Sequence, residues 1–275
     1  MTSSALKDPL AEPLQRARGT ARAAVRLVGE TTRIDRLYQA GCLKLRFPRL
    51  PQAAAEAVLI NTSGGLTGGD RLNQAFEAAE GTSLAITTQA CERVYRAAAD
   101  RAEVATTASV ASNASLAWLP QETILFDGGR LARKLEVHCA GSSRLLLVES
   151  IILGRETMGE VVRSGLIADR WRITRDGRLV FADDLRLEGD IASLAARGAT
   201  LAGARAFATV LYQDDGGAER LDEIRAVVGE AGAASAFSGL IVVRLTAASG
   251  FRLRKRLMPL LSTLAKDALP RVWSS

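Results

Sequence analysis

The sequence predicts a mainly β protein, its strands forming a layered or coiled sheet, with a few helices towards the C-terminal end. Three observations lead there. Short apolar or alternating segments follow one another from about Thr20 to Leu187. No helix of ordinary length with a clean apolar stripe interrupts them. Helical spacing enters only in the last third, so the pattern differs from the regular strand–helix alternation of an α/β nucleotide fold.

Residues 1–19 carry Pro9 and Pro13, are otherwise largely polar and show no periodicity, and read as a mobile leader. Residues 20–275 read as one domain, β-rich to about 187 and mixed over 188–275. Strands are expected over 21–28, 57–61, 71–78, 83–88, 103–111, 131–139, 144–153, 166–174 and 179–181. The sixth shows the rule: Leu135, Val137 and Cys139 share one face, Glu136 and His138 the other. Helices are expected over 219–230, from Leu221, Ile224, Val227 and Val228, and over 252–269, from Leu253, Leu257, Leu260, Leu261 and Leu264. Pro259 should bend or shorten the second, because it lacks a backbone donor. Between them, 240–246 is a β-branched strand.

Composition narrows the function. Among 275 residues, 36 Lys+Arg stand against 30 Asp+Glu, a net charge of +6. The basic excess is diffuse and lacks aromatic interleaving, so solvated faces or contact with an acidic protein outrank nucleic-acid binding. The longest apolar run, 145–153, is broken by Glu149 and Ser150 and is far short of a membrane span. No signal sequence is recognisable, and Cys42, Cys91 and Cys139 form no close pair, which places the protein in the cytoplasm. His138, the single histidine, rules out multi-histidine metal sites and reads as the solvent face of a strand.

Four segments could carry chemistry. NTSGGLTGGD, 61–70, places Gly64, Gly65, Gly68 and Gly69 in a tight loop ending at Asp70. It fits neither phosphate-binding glycine pattern. TTQACERVYR, 87–96, concentrates Thr87, Thr88, Gln89, Cys91 and Glu92 at a strand end, as a site or a buried hydrogen-bond network. WLPQETILFDGGR, 118–130, sets Glu122 and Asp127 around a short apolar stretch. LGRETMGE, 153–160, brings Arg155, Glu156 and Glu160 close behind Glu149. A carboxylate among Leu, Val and Ile needs a partner once buried, and Arg155 is the natural candidate.

In this order, and with a closing LPRVW at 269–273, these segments resemble the signature blocks of the UreD family of urease accessory proteins, called UreH in some organisms. The resemblance runs from about residue 20 to 275. It implies a predominantly β fold, its strands wound in a helical, layered arrangement with a few helices, and no catalytic activity of its own. It implies binding to the helical accessory protein UreF, through it to the GTPase UreG, and docking on urease apoprotein. It also implies an internal polar tunnel that passes nickel to the urease site. Asp70, Glu149 and Asp183 fall on acidic positions of the family's pattern and are the expected transient nickel path. Thr87, Thr88, Gln89, Glu92, Arg155, Glu156 and Glu160 are the expected tunnel or interface network. Two positions depart from the pattern: Cys91 stands where a small residue such as Ala is commoner, and Asp183 where many members carry Glu.

The residues suit that role. Nickel is held firmly by imidazole or thiolate and less firmly by carboxylate and water. Scattered carboxylates near apolar strands can therefore pass an ion on without a tightly bound cofactor, because an ion that must leave cannot bind tightly. Two other classes compete. One is a β-solenoid carbohydrate-active enzyme using paired carboxylates such as Glu122 and Asp127, which the low aromatic content of 5% disfavours. The other is an anion- or nucleotide-binding module on the glycine loop. The Ala-rich stretch 231–236 and the basic segment 252–269 are the expected contact surfaces.

Overall fold

A computed structural model describes residues 15–48, 54–265 and 269–273. Of the expected leader, residues 1–14 lie outside this range, and the first strand already begins at Arg18. The strands are β1 Arg18–Val28, β2 Thr31–Gly41, β3 Leu43–Arg46, β4 Ala55–Asn61, β5 Arg71–Ala78, β6 Ser83–Thr88, β7 Glu92–Val94, β8 Ala102–Val110 and β9 Ser115–Leu119. They continue as β10 Thr123–Leu125, β11 Arg130–Cys139, β12 Arg144–Leu153, β13 Gly165–Arg175, β14 Arg178–Gly189, β15 Ala206–Gln213, β16 Gly232–Phe237 and β17 Leu240–Ala247. The α-helices are α1 Ile191–Ala196, α2 Leu221–Val228 and α3 Gly250–Leu264.

From β4 to β13 the chain coils. The longer strands fall alternately in two sheets, so that β4, β6, β9 and β12 run parallel in one while β5, β8, β11 and β13 run parallel in the other. The first sheet has ten strands and the second seven. The antiparallel hairpin β1–β2 extends the seven-stranded sheet at one edge, and β14 ends it at the other. A narrow third face links the two, where Leu66, Val94, Leu125 and Leu153 stack one above the next through parallel pairing. All four are buried, one leucine or valine per coil. This is the layered, coiled sheet the strand pattern predicts, wound as the resemblance implies.

Two apolar cores follow from the strand phases. Leu131, Leu135 and Val137 point between the sheets, as do Leu145, Leu147 and Ile151. The opposite phase of the ten-stranded sheet, including Leu146, Val148 and Val210, is covered by α2 and α3. α3 is capped by Ser249, whose side chain accepts from the Arg252 amide, and runs on through Pro259. It buries Leu253, Leu257, Leu260, Leu261 and Leu264, each worth about 1.5–3 kcal/mol. It stops at Leu264, five residues before the expected end at Leu269. The Ala-rich stretch is mostly the edge strand β16.

Some elements carry no alternation to read. β2 is exposed from Arg33 to Tyr38 and β15 is buried along its whole length, so neither shows a two-residue period. His138 is exposed on β11, as expected.

Candidate functional site: an interior polar row

The four segments meet because each occupies the same corner of a successive coil. Three of them, 61–70, 87–96 and 118–130, line a cavity of about 190 Å³ between the sheets, while Arg155, Gly159 and Glu160 of the fourth line a separate surface cleft. Its polar wall includes Asn61, Thr88, Glu92, Thr106, Arg133 and Glu149. Gly64, Gly65 and Gln89 also line it, so the glycine loop is part of its rim. Gly65 sits at φ +146°, and a Cβ there would lie 2.4 Å from the Tyr95 ring and 2.8 Å from the Arg93 carbonyl. Gly68 and Gly69 belong to the same loop but stand away from the cavity.

Glu149 is buried, on the phase of β12 that faces the other sheet. Its Oε1 accepts from the Trp118 indole at 2.9 Å, and its Oε2 from Arg133 Nη1. The expected partner, Arg155, instead pairs with Glu160 at 2.9 Å on the surface and lies over the Phe126 ring. The reason is geometric. Glu149 points between the sheets, whereas Arg155 follows the chain's exit from β12 into an exposed turn. Arg133 also forks onto Asp169, with Nε at 3.2 Å and Nη2 at 2.5 Å. Burial pushes the Glu149 carboxyl up to about 7, although Arg133 and Trp118 pull the other way. Burial likewise opposes the Arg133 charge, but Asp169 and Glu149 outweigh it and hold the guanidinium pKa above its ordinary value.

The row continues along the ten-stranded sheet. Glu149 stands opposite Thr209 on β15, and Thr209 opposite Arg244 on β17. Arg244 donates to Thr209 Oγ1 at 3.1 Å and pairs with Asp183 at 2.7 Å across the gap between the sheets. Asp183, the shorter carboxylate, thus reaches a cation directly. Glu149 and Asp183 share one polar row, whereas Asp70 lies apart. Its two oxygens accept from the Ala17 and Thr67 amides, each at 2.7 Å, so it ties the glycine loop to the start of β1.

The remaining candidates divide. Thr88 accepts from the Gln121 amide at 2.9 Å, and Glu92 accepts from Asn61 Nδ2 at 3.1 and 3.3 Å. Burial raises the Glu92 pKa. Thr87, in the opposite phase of β6, is fully buried and away from the cavity. Glu156 is exposed at the start of a 3-10 turn, and Glu160, held down to about 2 by its hydrogen bonds from Arg155, lies beside it in a surface cleft with Tyr95 and Phe126. Cys91 donates to Glu122 at 3.4 Å, and burial beside that carboxylate pushes its thiol up to about 11.

Glu122 and Asp127 are engaged by separate partners. Glu122 is buried against Arg254 of α3 at 3.0 Å, while Asp127 accepts from Arg96, at 2.5 Å, and from the Arg163 and Ser164 amides. Among the described residues, no group of three or more His, Cys, Asp or Glu is arranged to hold a metal ion.

Sequence reasoning missed Arg133, Asp169, Thr209 and Arg244. A usable signal was present for the first two: each interrupts the buried phase of its strand, Arg133 between Leu131 and Leu135, and Asp169 between Ile167 and Trp171.

The class of protein defined here is a two-sheet β-solenoid, capped by C-terminal helices, with a charged row inside. A family model described as UreD urease accessory protein matches residues 17–274. The urease accessory protein UreD of Rhizobium leguminosarum bv. viciae is 50% identical over 262 residues, covering 94% of this chain and 96% of its own. Those of Sinorhizobium medicae (51% over 271 residues, 94% and 96%) and Chelativorans sp. (46% over 278 residues, the whole of both chains) are similar. The chain belongs to the UreD family of urease accessory proteins, which supports a role in urease maturation.

Proposed function

We propose that the chain acts in urease maturation as a non-catalytic scaffold in the cytoplasm. It docks on urease apoprotein, binds a UreF-like helical protein and through it the UreG GTPase, and helps pass nickel towards the urease active site. The observation that carries this reading is the Glu149 carboxylate, buried yet on the wall of a cavity and in line with Thr209, Arg244 and Asp183.

The chemistry suits transit. Oxygen ligands bind nickel less firmly than imidazole or thiolate would. The thiol nearest the cavity, Cys91, is held protonated beside Glu122 and so is a poor metal ligand. Glu92 and Glu149 on the cavity wall are the waypoints, and Asp183 stands at the far end of the row. Asp70 serves by holding the glycine loop that forms the rim. Arg155, Glu156 and Glu160, beside the exposed Met158 and Val161, form a candidate contact surface.

Co-expression of urease with its accessory proteins, with and without this chain, tests the proposal. Urease made without it should contain little nickel and hydrolyse urea poorly. Full metallation in its absence would contradict the role.

A further inference from the structure

Arg133 holds its two carboxylates unequally. Nε and Nη2 form a planar fork on Asp169, a geometry that fixes the guanidinium. Only Nη1 reaches Glu149, and it also reaches Thr123 Oγ1 at 3.3 Å. The other oxygen of Glu149 is taken by Trp118. Arg133 and Glu149 both line the cavity, so the guanidinium has free space beside it. On the same wall, Gln121 Nε2 is buried with no hydrogen-bond partner among the described residues. An unpaired N–H donor there calls for an oxygen acceptor in the cavity, such as water.

We infer that Arg133 is a resident counter-ion that competes with a divalent cation for Glu149, masking an oxygen-ligand site made of Glu149, Asp169 and Thr123. Two carboxylates and a hydroxyl are the donor set of a hard or borderline divalent ion. In a low-dielectric interior, two free carboxylates would hold such an ion too firmly for it to leave. A guanidinium already seated between them supplies the compensating charge. An arriving ion then gains only the difference between its own attraction and that of Arg133. The purpose of the device rests on the conduit reading above; the masked site itself does not.

The test is calorimetric titration of the purified full chain with Ni²⁺ alone, at neutral pH, with folding checked by circular dichroism. Arg133→Met should bind one Ni²⁺ at least about tenfold more tightly than the wild type, because the competitor is gone. Adding Glu149→Gln to that variant should abolish the gain. A folded Arg133→Met with wild-type affinity would overturn the inference, as would a double variant that keeps the gain. Should Arg133→Met fail to fold, Arg133→Lys decides. Lysine keeps the charge but cannot fork between two carboxylates, so a gain of about threefold is expected and no gain overturns the inference. Nickel loading of co-expressed urease separates the two proposals: tighter binding by the variant with unaltered loading leaves the counter-ion standing and removes the conduit.

Discussion

The Trp118 indole and the Glu149 carboxylate meet between the sheets at 2.9 Å, on neighbouring parallel strands two residues out of register. The contact orients a carboxylate whose pKa burial has raised from 4.5 to about 7. Between those values the folded chain keeps a proton that the unfolded chain has released. The stability this proton contributes is fully present below the unfolded value and is lost as pH rises through about 7. Denaturant unfolding of the wild type and of Glu149→Gln, across pH, checks this. The wild type should lose up to about 3 kcal/mol relative to the variant between about pH 5 and pH 8. A difference that stays flat with pH would contradict the assignment.

Arg254 fastens α3 and the C-terminal segment to the coil. It donates to Gln121 Oε1 at 2.8 Å, to Glu122, and to the Val272 and Trp273 carbonyls, and it lies over the Trp273 ring. Trp273 in turn donates to the Leu119 carbonyl at 3.0 Å. Arg254→Met strands the buried Glu122 and should cost about 3–5 kcal/mol in denaturant unfolding. Arg254→Met combined with Glu122→Gln should recover part of that loss.

Gly68 packs against the backbone of the segment after β7. A Cβ there would lie 1.9 Å from the Ala99 carbonyl oxygen, so the loop must shift to admit it. Gly198 is exposed, with open space around it. Gly68→Ala should therefore lower stability by about 1–3 kcal/mol, while Gly198→Ala stays within about 0.5 kcal/mol of the wild type. Thermal unfolding of the pair measures the contrast.

The coil was legible where one strand face is wet and the other dry. Glu136 and His138 against Leu135 and Val137 give β11 directly, and β5, β6 and β12 keep their expected limits. It was illegible where both faces share one environment, as in β2 and β15. Glu149 stood out because it interrupts an apolar run. Its partner did not, because pairing depends on which residues of different coils face each other. Arg155 is near in sequence, but Arg133 is the residue across the gap. Asp70 shows the same limit from the other side: its place at the end of a glycine block is visible, but its two bonds to backbone amides are not.

Glu149→Gln tests most directly whether the carboxylate row, buried at Glu149 and opening to the surface at Asp183 and Arg244, carries nickel. The substitution keeps the size and the Trp118 contact while removing the charge. Urease co-expressed with this variant should show unaltered association with it but at least about fivefold less nickel, measured by metal analysis of the purified complex. Urease that acquires its full complement of nickel alongside the Glu149→Gln variant would contradict the claim.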